Sequence, residues 1–224
     1  MTNTDQATVP DTAVTFSRFA AVFIPFSFLL SAALLVPETE QKLVHGRVIY
    51  TIWTTILFMI PALWLQFSGA AAHGARVYWR LCWTAGLLAY WVHFYFTVGV
   101  IFHGSLREVY AAQKPIIATS NLLDTAWWTF DVALAWLVRS ERRWIQVQRI
   151  AAHAYIAATF FVSAVLIKHG VVKGLGIVMT VSAVGGAAVG LVRHFAHRPQ
   201  RSAGSAGSAG SADGGRAQTL AARA

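Results

Sequence analysis

The chain has 224 residues, of which 56% are hydrophobic and only 12% charged, against about 25% charged in an ordinary soluble domain. A water-soluble fold this poor in charge could not cover its surface, and the single cysteine, Cys82, excludes an intramolecular disulfide or a thiolate metal cluster within one chain. The net charge of +9 does not point to nucleic acid, because the basic residues lie beside apolar runs, where membrane loops are basic and meet anionic headgroups.

The first fifteen residues form a polar tail with Asp5 and Asp11, unlike the basic start of a secretory signal. The apolar run that follows is too long for a signal core and reads as a retained first span, 16–36, in which Pro25 predicts a kink. A second span is predicted over 48–67. It contains Pro61, and Thr51, Thr54 and Thr55 give it a hydroxyl-bearing face able to bond within the helix or across to a neighbour. The third, 81–102, lies in a stretch that carries no formal charge between Arg80 and His103, long enough to cross a hydrocarbon core at about 20 residues. His93 sits within it among Tyr90, Trp91, Phe94, Tyr95 and Phe96.

A longer loop, 104–120, has room for a short interfacial helix. The fourth span, 121–138, is the most unusual, with Asp124, Trp127, Trp128, Asp131 and Trp136. A basic loop with Arg139, Arg142, Arg143 and Arg149 leads into the fifth, 150–167, which carries His153. The sixth, 174–192, is rich in small residues, and Gly186 and Gly190 form a GxxxG pair suited to close helix packing, inside the bundle or against a second copy. Residues 198–224 are a Ser-Ala-Gly-rich tail with the composition of a flexible coil.

The predicted fold is therefore all-α: a polytopic bundle of six transmembrane helices over 16–197 between a polar tail and a low-complexity tail. With six spans both termini share a side. Ten Lys and Arg flank the spans on that side, including Arg18, Arg76, Arg80, Arg142, Arg143 and Arg193, against six on the other. The positive-inside rule then predicts cytoplasmic termini and an inner-membrane location.

Ionisable residues within a span are costly, so His93, Asp124 and Asp131 are the candidate working residues. Asp124 and Asp131 are seven apart and return to within roughly 20° of one helix face. Trp128 lies between them on that face, which predicts an acidic, aromatic stripe turned away from lipid. Counted from the span ends, His93 and Asp131 both fall near mid-depth, so a His93–Asp131 pair is expected, either as a structural lock or as part of a proton or solute path. His153 is expected near the cytoplasmic end.

A His-Gly pattern followed by a basic residue recurs at His45, His73, His103 and His169. Helix closure explains it first, glycine taking the left-handed cap and histidine facing the helix dipole. The alternative is a zinc or copper site from His45, His103 and His169, which share the outer face in the predicted topology. Haem or a transition metal is compatible with the sequence without being implied by it. The absence of CxxCH excludes covalent haem, and HExxH, GxSxG and Walker motifs are absent too.

The leading functional expectation is a membrane protein with a polar His/Asp site that moves protons or a small solute, or serves as the membrane subunit of a redox system. An enzyme acting on a hydrophobic substrate (a lipid, isoprenoid or quinone) is the alternative, with Trp91, Tyr95, Trp127 and Trp128 as its pocket. A non-catalytic assembly or scaffold subunit is the third. The expected partners are the bilayer, other membrane subunits, or a second copy through Gly186 and Gly190, with no nucleic acid.

Overall fold

Apolar chain in lipid must satisfy its own backbone groups, which a helix does within one segment. The computed structural model describes residues 13–39, 43–70, 75–138 and 142–196, and every regular element in them is helical. In order these are α1 (Phe16–Leu35), α2 (Leu43–Phe67), α3 (Arg76–Phe94), α4 (Leu106–Ala112), α5 (Pro115–Leu137), α6 (Arg143–Phe161) and α7 (Val171–Ala196). A short 3₁₀ turn, Val36–Thr39, follows α1. α3 and α6 run on into π-helical segments, Tyr95–Ile101 and Val162–Ile167. The tails and residues 71–74, which hold His73 and Gly74, lie outside the described residues.

Among the described residues five helices are long and apolar enough to cross a membrane: Phe16–Leu35, Leu43–Phe67, Arg76–Ile101, Arg143–Ile167 and Val171–Ala196. The chain is thus a multi-pass, membrane-embedded helical protein by length and composition. Its outward faces agree, since Ile24, Phe28, Val181, Val184 and Leu191 are exposed, more apolar surface than a water-soluble monomer presents. α5 is 23 residues long but carries Asn121, Asp124 and Asp131, and it is not one of the five.

α2 is the hub, packing most extensively on α3 and α7 and also touching α1 and α6. Ile56, Met59, Ala62 and Leu63 of α2 meet Trp79, Trp83 and Leu87 of α3 in the core, with Trp128 and Met179 beside them. Thr51, Thr54 and Thr55 bond back to Arg47 O, Tyr50 O and Thr51 O at 2.6, 3.1 and 3.0 Å, so the threonine face of α2 is spent largely within its own helix. Pro25 and Pro61 lie inside continuous helices.

The GxxxG pair is used inside the bundle. A Cβ on Gly186 would sit 3.1 Å from Trp64 O, and one on Gly190 would run into Phe67 O, so α7 lies backbone-close on α2. Ser182 Oγ donates to Ile60 O across the same seam at 2.9 Å.

Three arginines close helix ends, where the last carbonyls lack partners. Arg47 Nε donates to Leu34 O at 3.0 Å, Arg80 to Ala135 O at 3.3 Å and Arg193 to Ser68 O at 3.1 Å. These acceptors lie at the C-terminal ends of α1, α5 and α2. Each cation therefore meets the negative end of a helix dipole.

Several helices begin before the predicted spans: α3 at Arg76 rather than 81, α5 at Pro115 rather than 121, α6 at Arg143 rather than 150. The apolar window marks only the lipid-crossing part, and helices continue past it. The short helix expected in the 104–120 loop is α4, opened by Ser105, whose Oγ accepts from Glu108 N at 3.3 Å.

Candidate functional site

The buried residues of α5 are Ala118, Asp124, Trp128 and Asp131, as the seven-residue spacing predicts. This face packs on α3 and α6.

Asp131 is fully buried, and its Oδ2 accepts from Trp83 Nε1 at 2.9 Å. His153 Nδ1 lies 3.7 Å from the same oxygen. Its Nε2 accepts from Trp79 Nε1 at 3.0 Å, and its Nδ1 is 2.8 Å from Arg149 O. Trp83 stacks on the His153 ring at 3.9 Å between centroids, and Arg149 lies over the Trp79 ring at 4.7 Å. Trp79, Trp83 and His153 are at most 1% exposed and Arg149 8%, so the cluster joins α3, α5 and α6 in a dry interior. Asp131 Oδ1 and Trp128 Nε1 are buried and make no hydrogen bond.

Asp124 is held by a different residue, Thr159 of α6, whose hydroxyl donates to Oδ1 at 3.0 Å. Between the acids, Trp128 stacks against Trp83 at 4.4 Å and Tyr90 at 5.7 Å. Tyr90 OH donates to Asn121 O at 3.3 Å.

The expected His93–Asp131 pair does not form. His93 Nδ1 bonds Val48 O of α2 at 2.9 Å and its ring lies by Tyr90 at 5.9 Å. The reason is axial level. Within α3, His93 lies ten residues beyond Trp83, roughly 15 Å further along the helix, whereas Asp131 is level with Trp83. His153 takes the place expected of His93. α6 starts at Arg143, so His153 lies well inside the helix rather than at its end.

Among the described residues no group of three or more His, Cys, Asp or Glu side chains could hold a metal ion. His45, His103 and His169 are each exposed, and His103 reaches Glu108 at 3.4 Å. The His-Gly pairs at His103 and His169 do close helices, with positive φ at Gly104 and Gly170. Gly46 instead lies buried within α2.

Among the described residues, apolar grooves open on the outside of the bundle, two of them along the π-helical end of α3. The larger, about 620 Å³, lies between the π-helical end of α3 and α5, with Trp91, Tyr95 and Gly99 facing Leu122, Thr125 and Thr129. Trp91 and Tyr95 therefore line a groove as the hydrophobic-substrate alternative expects. Trp128 does not, being in the core, and Trp127 packs on Tyr155 at 5.4 Å.

Trp79, Trp83 and Arg149 were not among the expected site residues. All three lie in turns that the apolar window assigned to loops or span edges. The available signal is spacing: Trp79–Trp83 and Arg149–His153 are each four apart, so each pair shares a helix face. Comparison with family models, with curated proteins and with solved structures finds no match.

Proposed function

We propose that this protein is a six-span inner-membrane protein, its termini cytoplasmic and α5 its sixth crossing, that moves protons through the acidic face of α5. Asp131 is the principal proton-exchanging group and Asp124 a second station toward the other end. His93, which bonds α2 backbone, serves as a helix lock at the far side of the Tyr90–Trp128 stack. The observation that carries this reading is Asp131 Oδ1, a fully buried carboxylate oxygen that makes no hydrogen bond of ordinary geometry, although the Gln148 amide and the Arg149 guanidinium lie near the carboxyl group. A carboxylate kept only to lock helices is expected to have both oxygens satisfied, since one unpaired buried group costs about 1–3 kcal/mol. An open oxygen beside a donor-rich centre is where a proton can bind and leave. Ionisable chains of this kind within spans commonly mark proton paths. At about 1.5 Å per residue, the 23 residues of α5 reach roughly 35 Å, enough for a crossing.

The test is proton flux into proteoliposomes under an imposed potential, followed with an internal pH dye. Asp131→Asn keeps shape and accepts from Trp83, so it is expected to fold and to lose at least tenfold of the flux. Folded Asp131→Asn protein with wild-type flux contradicts the proposal.

The groove at Trp91 and Tyr95 favours a second reading, in which a hydrophobic substrate lies along α3 and α5.

A further inference from the structure

The hydrogen bonds around His153 fix where its proton sits. An indole nitrogen only donates, so Trp79 Nε1 at 3.0 Å makes Nε2 an acceptor without a proton. A carbonyl only accepts, so Arg149 O at 2.8 Å places the proton on Nδ1. The ring is then neutral, with both nitrogens committed, and its Nδ1–H edge faces Asp131 Oδ2 at 3.7 Å.

This geometry conflicts with the simplest relay, in which Asp131 passes its proton to His153. Nδ1 already carries one, and Nε2 is closed by Trp79. The other groups around the ring offer no alternative acceptor. Asp131 faces it from α5 and Arg149 from its own helix. Among the described residues, the rings of Phe67 of α2 and of Trp79 and Trp83 of α3 pack against it.

We infer that Trp79 is a positioning residue: by donating to Nε2 it holds His153 neutral beside Asp131, its Nδ1–H bonded to Arg149 O, and confines the exchangeable proton to the carboxyl group. The role assigned to Asp131 rests on the proposed proton movement. The tautomer of His153 does not.

Two measurements separate those parts. The first is ¹⁵N NMR of ring-labelled histidine in the full-length protein in bilayers, with the His153 signals assigned by their loss in His153→Gln. The wild-type ring is expected to show a protonated Nδ1 and a bare Nε2 throughout the pH range in which the protein is folded. In Trp79→Phe, which leaves Nε2 open, acidification is expected to add a proton there. A protonated Nε2 in the wild type overturns the inference even if Trp79→Phe fails to fold, and so does a Trp79→Phe ring that responds to pH as the wild type does.

The second is flux. The amide of His153→Gln can accept from Trp79 and donate to Arg149 O but cannot carry a proton, whereas the ring of His153→Phe does neither. The Gln variant is expected to keep at least fivefold more flux than the Phe variant. Equal loss in both means the imidazole itself carries the proton and overturns the inference. A wild type without proton flux but with the expected ring signals refutes the proposed function and leaves the tautomer assignment standing.

Discussion

Asp131 is held by one charge-assisted bond on Oδ2 and none on Oδ1, so the Trp83 indole carries most of its hydrogen bonding. Hydrogen bonds to charged groups contribute about 1.5–3 kcal/mol. A double-mutant cycle of Trp83→Phe with Asp131→Ala, each of which removes the bond, read by unfolding in bilayer-mimetic micelles, is expected to give a coupling in that range. A coupling below about 0.5 kcal/mol, the level of an exposed pair, would mean that the bond contributes little. At this scale the acids were legible in the sequence, because charge inside an apolar run stands out whatever the fold. Their partners were not. Asp131 bonds Trp83 of α3 and lies beside His153 of α6, and nothing in the sequence sets the axial offset between α3, α5 and α6. Arg149 was obscured for a related reason: it reads as part of a basic loop, while the helix that begins at Arg143 carries it into the interior.

The helices show why their cores were readable and their ends were less so. Apolar length marks the hydrocarbon crossing, and local chemistry marks the ends. Pro115 opens α5 at the position where its missing N–H costs nothing. Ser105 and Glu108 have the spacing of a capping box around the start of α4, and the Ser105 half of it forms. The arginine contacts at Leu34, Ala135 and Ser68 are tertiary and leave no local pattern. The glycine stripe of α7 gave a packing signal without naming its partner, and the partner is α2. Its positions are unequal. Gly190→Ala drives a methyl group into Phe67 O and is expected to destabilise by about 1–3 kcal/mol. Gly174→Ala meets nothing within 4 Å and is expected to be neutral or to stabilise by up to about 1 kcal/mol through helix propensity. Thermal or denaturant unfolding of the two variants side by side checks the seam. Equal effects would mean that α7 is not seated on α2 in this register.

Across the whole molecule, α2 organises the bundle while the polar chemistry collects where α3, α5 and α6 meet. The polarity that keeps α5 out of the five apolar candidate spans also gives it the buried face on which a proton path can be built. Fold class followed from composition, because a chain this apolar and this poor in charge has few ways to satisfy its backbone in lipid. The site needed three-dimensional information, because it is assembled from three helices by single residues rather than by a local motif. The central claim is that Asp131 exchanges a proton while enclosed by Trp83, His153 and Arg149. Infrared difference spectroscopy of the reconstituted protein on a pH step tests it most directly. A protonated-carboxyl C=O stretch is expected to appear on acidification and to be missing from Asp131→Asn. A difference spectrum that is the same in wild type and Asp131→Asn would contradict the claim and leave Asp131 as a helix lock.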